Sequence, residues 1–431
     1  MSEEGKAIQS IEWRRCCAFL EVLRSFRMAI HPWNLVLCFL GLALSFLVAV
    51  FVDEVLPSPV GNTEVYGAGF YQHARRIATT TLWGDWSFPY VGGKTWDHFF
   101  AFLMAPVSAV REFVTLGVAY WERTPWFALV CTIASLAIWA FVGGAVTRMA
   151  AVRVARDESV SLRQALAFSC RKWASTVTSP LIPFGVLVFV AILVGALAGL
   201  PLMIPFAGEY VIGVLFFLVL LMGVVMAMVF IGGAFSVGLQ WPTIAAEGSD
   251  SFDAISRSIS YISSRPWKYL FTTVFSVLYG CATFILVKFT AFLTLKTTHE
   301  AVSSFTWGAG GAQDKLYRLW DLPTLANPWP QTGFELFHGE ATASYLFALW
   351  VWVVLGVMMA FLVSFFFCSQ TVIYFLMRKS VDSTDIEEVY MEESEDEELP
   401  VEHKVETAAE GAPKADAGGQ AEDSPPSETA T

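Results

Sequence analysis

Arg148, Arg153, Arg156, Arg163, Arg171 and Lys172 form the largest basic group of the chain, and they fall between two long apolar runs. Guanidinium groups bind phosphate and carboxylate oxygens through paired hydrogen bonds, so the chemistry such a band can do is anion recognition. Its first reading is a topology signal, because Lys and Arg are retained on one side of a membrane. Beside that reading stand contacts of Arg148, Arg153, Arg156, Arg171 and Lys172 with anionic lipid headgroups. A third reading is docking of the chain's own acidic tail, which salt would weaken.

Other reactive types are sparse. Lys288 is the one charge well inside an apolar run, and snorkelling of its stem to the surface is the plain expectation. His73, His98, His299 and His338 lie in two long loops with Asp97 and Glu340, but no spacing matches a local metal motif, so ordinary surface histidines are expected. The seven cysteines contain no C-x-x-C pair, which favours neither a thiolate metal site nor a disulfide framework. Val91-Gly92-Gly93-Lys94-Thr95 imitates the end of a phosphate-binding loop, but Phe88 stands where its first glycine must be. No G-x-S-x-G elbow is present. The chain is therefore expected to be non-catalytic, with no cofactor, no metal and no nucleic-acid partner.

These residues need elements to hold them, and composition says which kind. Of 431 residues, 55% are hydrophobic and 15% charged, which places the chain in a bilayer. The net charge of −12 hides an asymmetry. Residues 381–431 carry 17 Asp and Glu against two Lys, while the rest carry 25 Lys and Arg against 22 Asp and Glu. The tail is acidic, nearly devoid of apolar residues past 391, and expected to be disordered.

Six runs are long enough to cross a hydrocarbon core of about 30 Å: 34–52, 126–147, 179–200, 212–238, 269–294 and 343–376. With the N-terminus inside, the segments facing the cytoplasm hold 16 basic residues and the external ones 8, so both termini are expected to be cytoplasmic. Ile11 to Met28 reads as an interfacial helix ended by His31-Pro32. Residues 98–121 read as an amphipathic or re-entrant helix on the outer face, because Arg111 and Glu112 interrupt them.

Residues 142–169 and 231–258 align without a gap at an offset of 89. The identities include Gly143 with Gly232, Gly144 with Gly233, Glu158 with Glu247, Ala165 with Ala254, and Ser169 with Ser258. We read this as an internal duplication. Each copy ends an apolar helix, crosses a polar connector and enters a short amphipathic helix closed by Pro180 or Pro266. Ser161 and Gln164 fit a capping box; Asp250 or Ser251 caps the second copy. Leu162, Ala165, Leu166, Ser169 and Trp173 make one stripe, and Phe252, Ile255, Ile259 and Ile262 the other. Both helices are expected to lie flat on the inner leaflet. Gly143, Gly144, Gly232 and Gly233, with Gly195 and Gly199, are read as helix-packing positions, an unwound substrate site being the alternative.

At Phe26 to Leu35, Gly143 to Ala151 and Ser251 to Ser258 the chain resembles a family of uncharacterised multi-pass membrane proteins of planctomycete-type bacteria. The pattern of amphipathic helix, proline and span is more distantly similar to the membrane domain found beside bacterial glycerophosphodiester phosphodiesterases. The phosphodiesterase domain itself is absent, so no hydrolase activity follows. The resemblance implies a helical fold in a bacterial cytoplasmic membrane.

The expected architecture is all-α. It comprises an N-terminal segment (1–33), a six-span domain (34–380) and the tail (381–431). The membrane domain holds parallel two-helix repeats (126–200 and 212–294) and external loops (53–125 and 295–342). The expected role is organisation of membrane lipid or partner proteins, the latter through the acidic tail or the tryptophan-rich external loops. A permease or channel for a small solute is the alternative. The sequence leaves the oligomeric state open.

Overall fold

The computed structural model describes residues 18–55, 70–84, 95–305, 316–385 except 318, 326 and 331–337, and 388–390. Residues 391–431 form a unit separate from 1–390. The acidic tail expected to be disordered lies outside the described residues beyond Tyr390, as do residues 1–17 and parts of both long loops.

All regular structure among the described residues is helical. A 3-10 turn over Ala18–Leu23 leads into α1 (Arg24–Ala29), so the single helix expected near the N-terminus is divided where it is described. Then follow α2 (Pro32–Val55), α3 (Phe70–Arg76), α4 (Thr95–Leu103), α5 (Ala105–Arg123) and α6 (Pro125–Arg156). After these come α7 (Leu162–Val194), α8 (Ala207–Glu247), α9 (Ser251–Ser264), α10 (Pro266–Phe305) and α11 (His338–Val381). The six expected spans fall in α2, α6, α7, α8, α10 and α11, each long and apolar enough to cross a membrane. The stretch 97–123 is broken at Met104, where α4 and α5 are bent by 70°. In α5, Ala105, Ala109, Leu116 and Tyr120 are buried while Val107, Val110 and Val114 are exposed, the two-faced pattern expected of it.

Both described chain ends, the ends of α6 and α8, and α9 gather on one side, here the terminal face; the long loops lie on the other, the loop face. Starts and stops follow local chemistry. Pro32, Pro125 and Pro266 open helices, where the missing N–H has no partner to lose. α6 stops at Asp157 (φ 55) and α8 at Gly248 (φ +65), both left-handed. The capping box at α7 is formed: Gln164 N donates to Ser161 Oγ (3.4 Å) and Ser161 N donates to Gln164 Oε1 (3.3 Å). Asp250 occupies the N-cap of α9 without a capping bond from its side chain.

The two connectors differ from expectation and from each other. Residues 162–179 do not form a separate flat helix; α7 runs through Pro180 and Pro183 unbroken. This stretch stands against α6, with Ser169 Oγ donating to Phe141 O (2.5 Å) and Trp173 Nε1 to Ala137 O (3.0 Å). Pro180 lacks the N–H that would reach Thr176 O four residues back. Trp241 Nε1 of α8 supplies a replacement donor at 3.0 Å. In the second connector Arg265 leaves helical geometry (φ −140), as the residue before a proline does, so α9 and α10 are separate. Both copies bury the same face: Ala165 and Ser169 in one, Ala254 and Ser258 in the other. The stripe of α9 turns partly outward, with Phe252 75% exposed.

Aromatic rings fill the junction of α6, α8 and α11. Trp241 stacks on Phe367 (5.5 Å) beside Trp139, and Gly143 lets them approach: a Cβ there would stand 2.5 Å from Trp241 and 2.7 Å from Phe367. Gly144 meets Ser169 Oγ at 2.8 Å and Gly233 meets Pro183 at 3.1 Å. The packing role read for Gly195, Gly199 and Gly232 is not made within one chain, since a Cβ at any of them meets nothing within 4 Å.

Gly143→Ala should destabilise the detergent-solubilised protein by about 1–3 kcal/mol through overpacking. Gly195→Ala and Gly232→Ala should be neutral or stabilising by up to about 1 kcal/mol through helix propensity, all read from thermal unfolding. In a double-mutant cycle, Trp241→Phe and Pro180→Ala should couple by about 0.5–1.5 kcal/mol, because the indole donor matters less once the helix supplies its own.

Candidate functional site

The ends of α8 and α11 meet α9 at one polar junction on the terminal face. At its centre Glu247, the last residue of α8, has a side chain only 9% exposed. A carboxylate in that position requires partners. It accepts a hydrogen bond from the Tyr374 hydroxyl of α11 and pairs with Arg257 Nη1 (2.8 Å) and Arg378 Nε (3.8 Å). Arg257 is also held by Asp253 one turn back (3.0 Å), and that bond holds its guanidinium charge yet more firmly. Tyr261 donates to Asp382 Oδ2 at 2.6 Å. Burial first, and then this bond, hold the Tyr261 phenol above its ordinary range.

Arg148 lies one layer deeper, 6% exposed. It donates through Nη1 to Ala245 O (2.7 Å) and through Nη2 to Tyr390 O (2.7 Å), and it lies over the Phe168 ring at 4.5 Å. The lipid contact read for Arg148 is therefore corrected: its guanidinium is turned inward onto backbone carbonyls. The rest of the band is divided. Arg153 is half-buried near His31; Arg156, Arg163 and Arg171 are exposed; Lys172 pairs with Asp250 at 3.6 Å. Arg156 lines an open cavity of about 750 Å³ with Glu21, Arg24, Asp157 and Glu158 over Val372 and Phe375. In its wall Asp157 accepts from Arg24 (3.2 Å) and Arg27 (3.5 Å).

The sequence pointed to Glu247 only as an identity with Glu158, and to Arg378 only as a topology charge. Tyr374, Tyr261 and Tyr390 carried no signal of their own, because their partners lie 121 residues or more away in sequence.

On the loop face, Lys288 does not snorkel. It is fully buried, with Nζ donating to Trp83 O (3.0 Å) and lying 4.2 Å from the Phe102 ring centre. Trp83 Nε1 donates to Leu325 O (3.0 Å) and Trp329 Nε1 to Thr79 O (2.9 Å), so the two long loops clasp one another. His299 is likewise buried, its Nε2 3.2 Å from Trp320 O. Among the described residues no three His, Cys, Asp or Glu side chains converge as a metal site.

The helices and their apolar surface define a multi-pass helical membrane protein. Comparison with protein-family models, curated proteins and solved structures finds no match to the chain.

His31 supplies a pH test of the terminal face. Burial, and then the charge of Arg153, hold its imidazole below the ordinary 6.5. The unfolded chain then binds the proton more readily, so stability present above pH 6.5 should be lost as pH falls through and below that value. Melting temperature should drop between pH 7.5 and 5.5 in the native protein, and by less in His31→Gln.

Proposed function

We propose that the chain is a non-catalytic membrane protein that organises anionic lipid, and through it partner proteins, at the cytoplasmic surface of a bacterial inner membrane. Both termini lie on that side in this reading, following the basic residues. The observation that carries it is the outward surface of the terminal face. Phe252 (75% exposed) and Trp267 (81% exposed) project there, with Arg265 and Lys268 flanking Trp267. Aromatic residues beside basic ones are the combination that sits at a headgroup layer. Arg156, Arg163 and Arg171, exposed on α6 and α7, add positive charge.

Passage of a solute would need a polar path between the repeats. The region between α6, α8 and α11 is occupied by the Trp139, Trp241 and Phe367 rings, which supports the organising role over a permease or channel.

The test is lipid retention. Protein purified in mild detergent should carry phosphatidylglycerol or cardiolipin detectable by native mass spectrometry. Each basic residue near an anionic surface contributes about 1 kcal/mol. Replacing Arg156, Arg163 and Arg171 together by Gln should therefore lower retention at least about tenfold. Unchanged retention would overturn the reading.

A further inference from the structure

After α11 the chain does not leave the body. It turns at Ser383, whose φ of 57 is one that favours glycine, and residues 388–390 return to the end of α8. There Tyr390 N donates to Ala246 O (2.8 Å) and Tyr390 O accepts from Arg148 Nη2 (2.7 Å). Glu388 O accepts from Arg378 Nη1 (2.7 Å), and its carboxylate lies 3.7 Å from Nη2 of the same arginine. The Tyr390 ring covers Gly248, where a Cβ would stand 2.7 Å from it. Asp382, held by Tyr261, is the root of the segment.

Two arginines thus point at two carbonyl oxygens, those of residues 388 and 390, which extended chain separates by at most about 7 Å. Carbonyls are neutral acceptors. An ionised phosphate oxygen in the same place would make a charge-assisted bond roughly twice as strong. The side-chain pair Arg378–Glu388 is exposed on its acidic side, 67%, so it holds the segment weakly and salt screens it. The carboxylate of Glu247 is shared between Arg257 (2.8 Å) and Arg378 (3.8 Å), so two guanidinium charges face one carboxylate and positive charge remains in excess there.

We propose that residues 388–390 are a latch that fills, in cis, a site made by Arg148 and Arg378 for a phosphate-bearing group, and that opening the latch makes the terminal face anion-binding. The proposal deepens the lipid-organising reading and rests on it for the source of the ligand, a phospholipid headgroup rather than free phosphate. It concerns residues other than the exposed arginines that carry that reading.

The test uses the full chain with Glu388→Lys and Tyr390→Ala, which repel Arg378 and uncover Gly248. In mixed micelles, phosphatidylglycerol should bind the latch-open protein at least about fivefold more tightly than the native one, the scale of a modest coupling. Adding Arg378→Gln should abolish the gain, and a melting transition retained in all variants shows that they are folded. In the native protein, titrating phosphatidylglycerol should speed hydrogen exchange at the Tyr390 amide. Inorganic phosphate that competes at millimolar concentration assigns the site to a soluble phosphate; failure to compete assigns it to the headgroup. No gain on opening, or a gain that survives Arg378→Gln, overturns the latch. Loss of lipid retention in the Arg156, Arg163 and Arg171 variant tests the broader reading separately, since those residues take no part in the latch.

Discussion

A guanidinium only 6% exposed must be given acceptors, and Arg148 organises the terminal face by taking two from distant chain. Its partners are the carbonyl of Ala245, in the last turn of α8, and that of Tyr390, after α11. A helix C-terminus leaves carbonyls without internal donors. Arg148 and the Tyr390 amide satisfy two of these in succession, those of Ala245 and Ala246. One buried charge therefore fixes α6, α8 and the segment beyond α11 in register, and Glu247, next in the chain, becomes the anchor for Tyr374, Arg257 and Arg378.

The same exchange of donors between helices explains why the two aligned stretches fold differently. Pro180 and Pro266 occupy corresponding places in the sequence pattern, yet α7 continues through the first and the chain breaks before the second. In the first case the Thr176 carbonyl, which Pro180 cannot reach, accepts from an indole of α8 and from the Ser179 hydroxyl, so the helix keeps its shape at little cost. Before Pro266, Arg265 leaves helical geometry and α9 is a separate helix, its stripe turned only partly outward: Phe252 is exposed while Ile262 packs against the core. A difference in partners, rather than in local propensity, separates the two.

The number and place of the spans were legible because they rest on length and composition alone, and the paired glycines because two of them, Gly143 and Gly144, sit in tight contacts. The buried identities Ala165 with Ala254 and Ser169 with Ser258 were visible as well, though not their reason: each lies on the face its helix packs inward. What sequence could not give was direction. Arg148 and Arg156 belong to one basic band, but two helical turns place one inside and one outside. Lys288 looked able to reach the surface, and it is instead enclosed by a loop more than 200 residues earlier.

That enclosure shows how the loop face is made. The loops before α6 and between α10 and α11 each contribute an indole N–H to a backbone carbonyl of the other. Trp83 and Trp329 stand edge to face at 6.3 Å, and Trp329 packs on Trp352 of α11 at 5.0 Å. Tryptophan suits this because it joins a large apolar ring to one donor that must be placed. The Lys288 ammonium then binds the carbonyl of the same Trp83 whose ring is in the clasp, so the lid is tied to α10 by a charged group that is costly to strand in an apolar surround. The two faces are thus closed by the same device, a buried cation that donates to a backbone carbonyl brought from far along the chain.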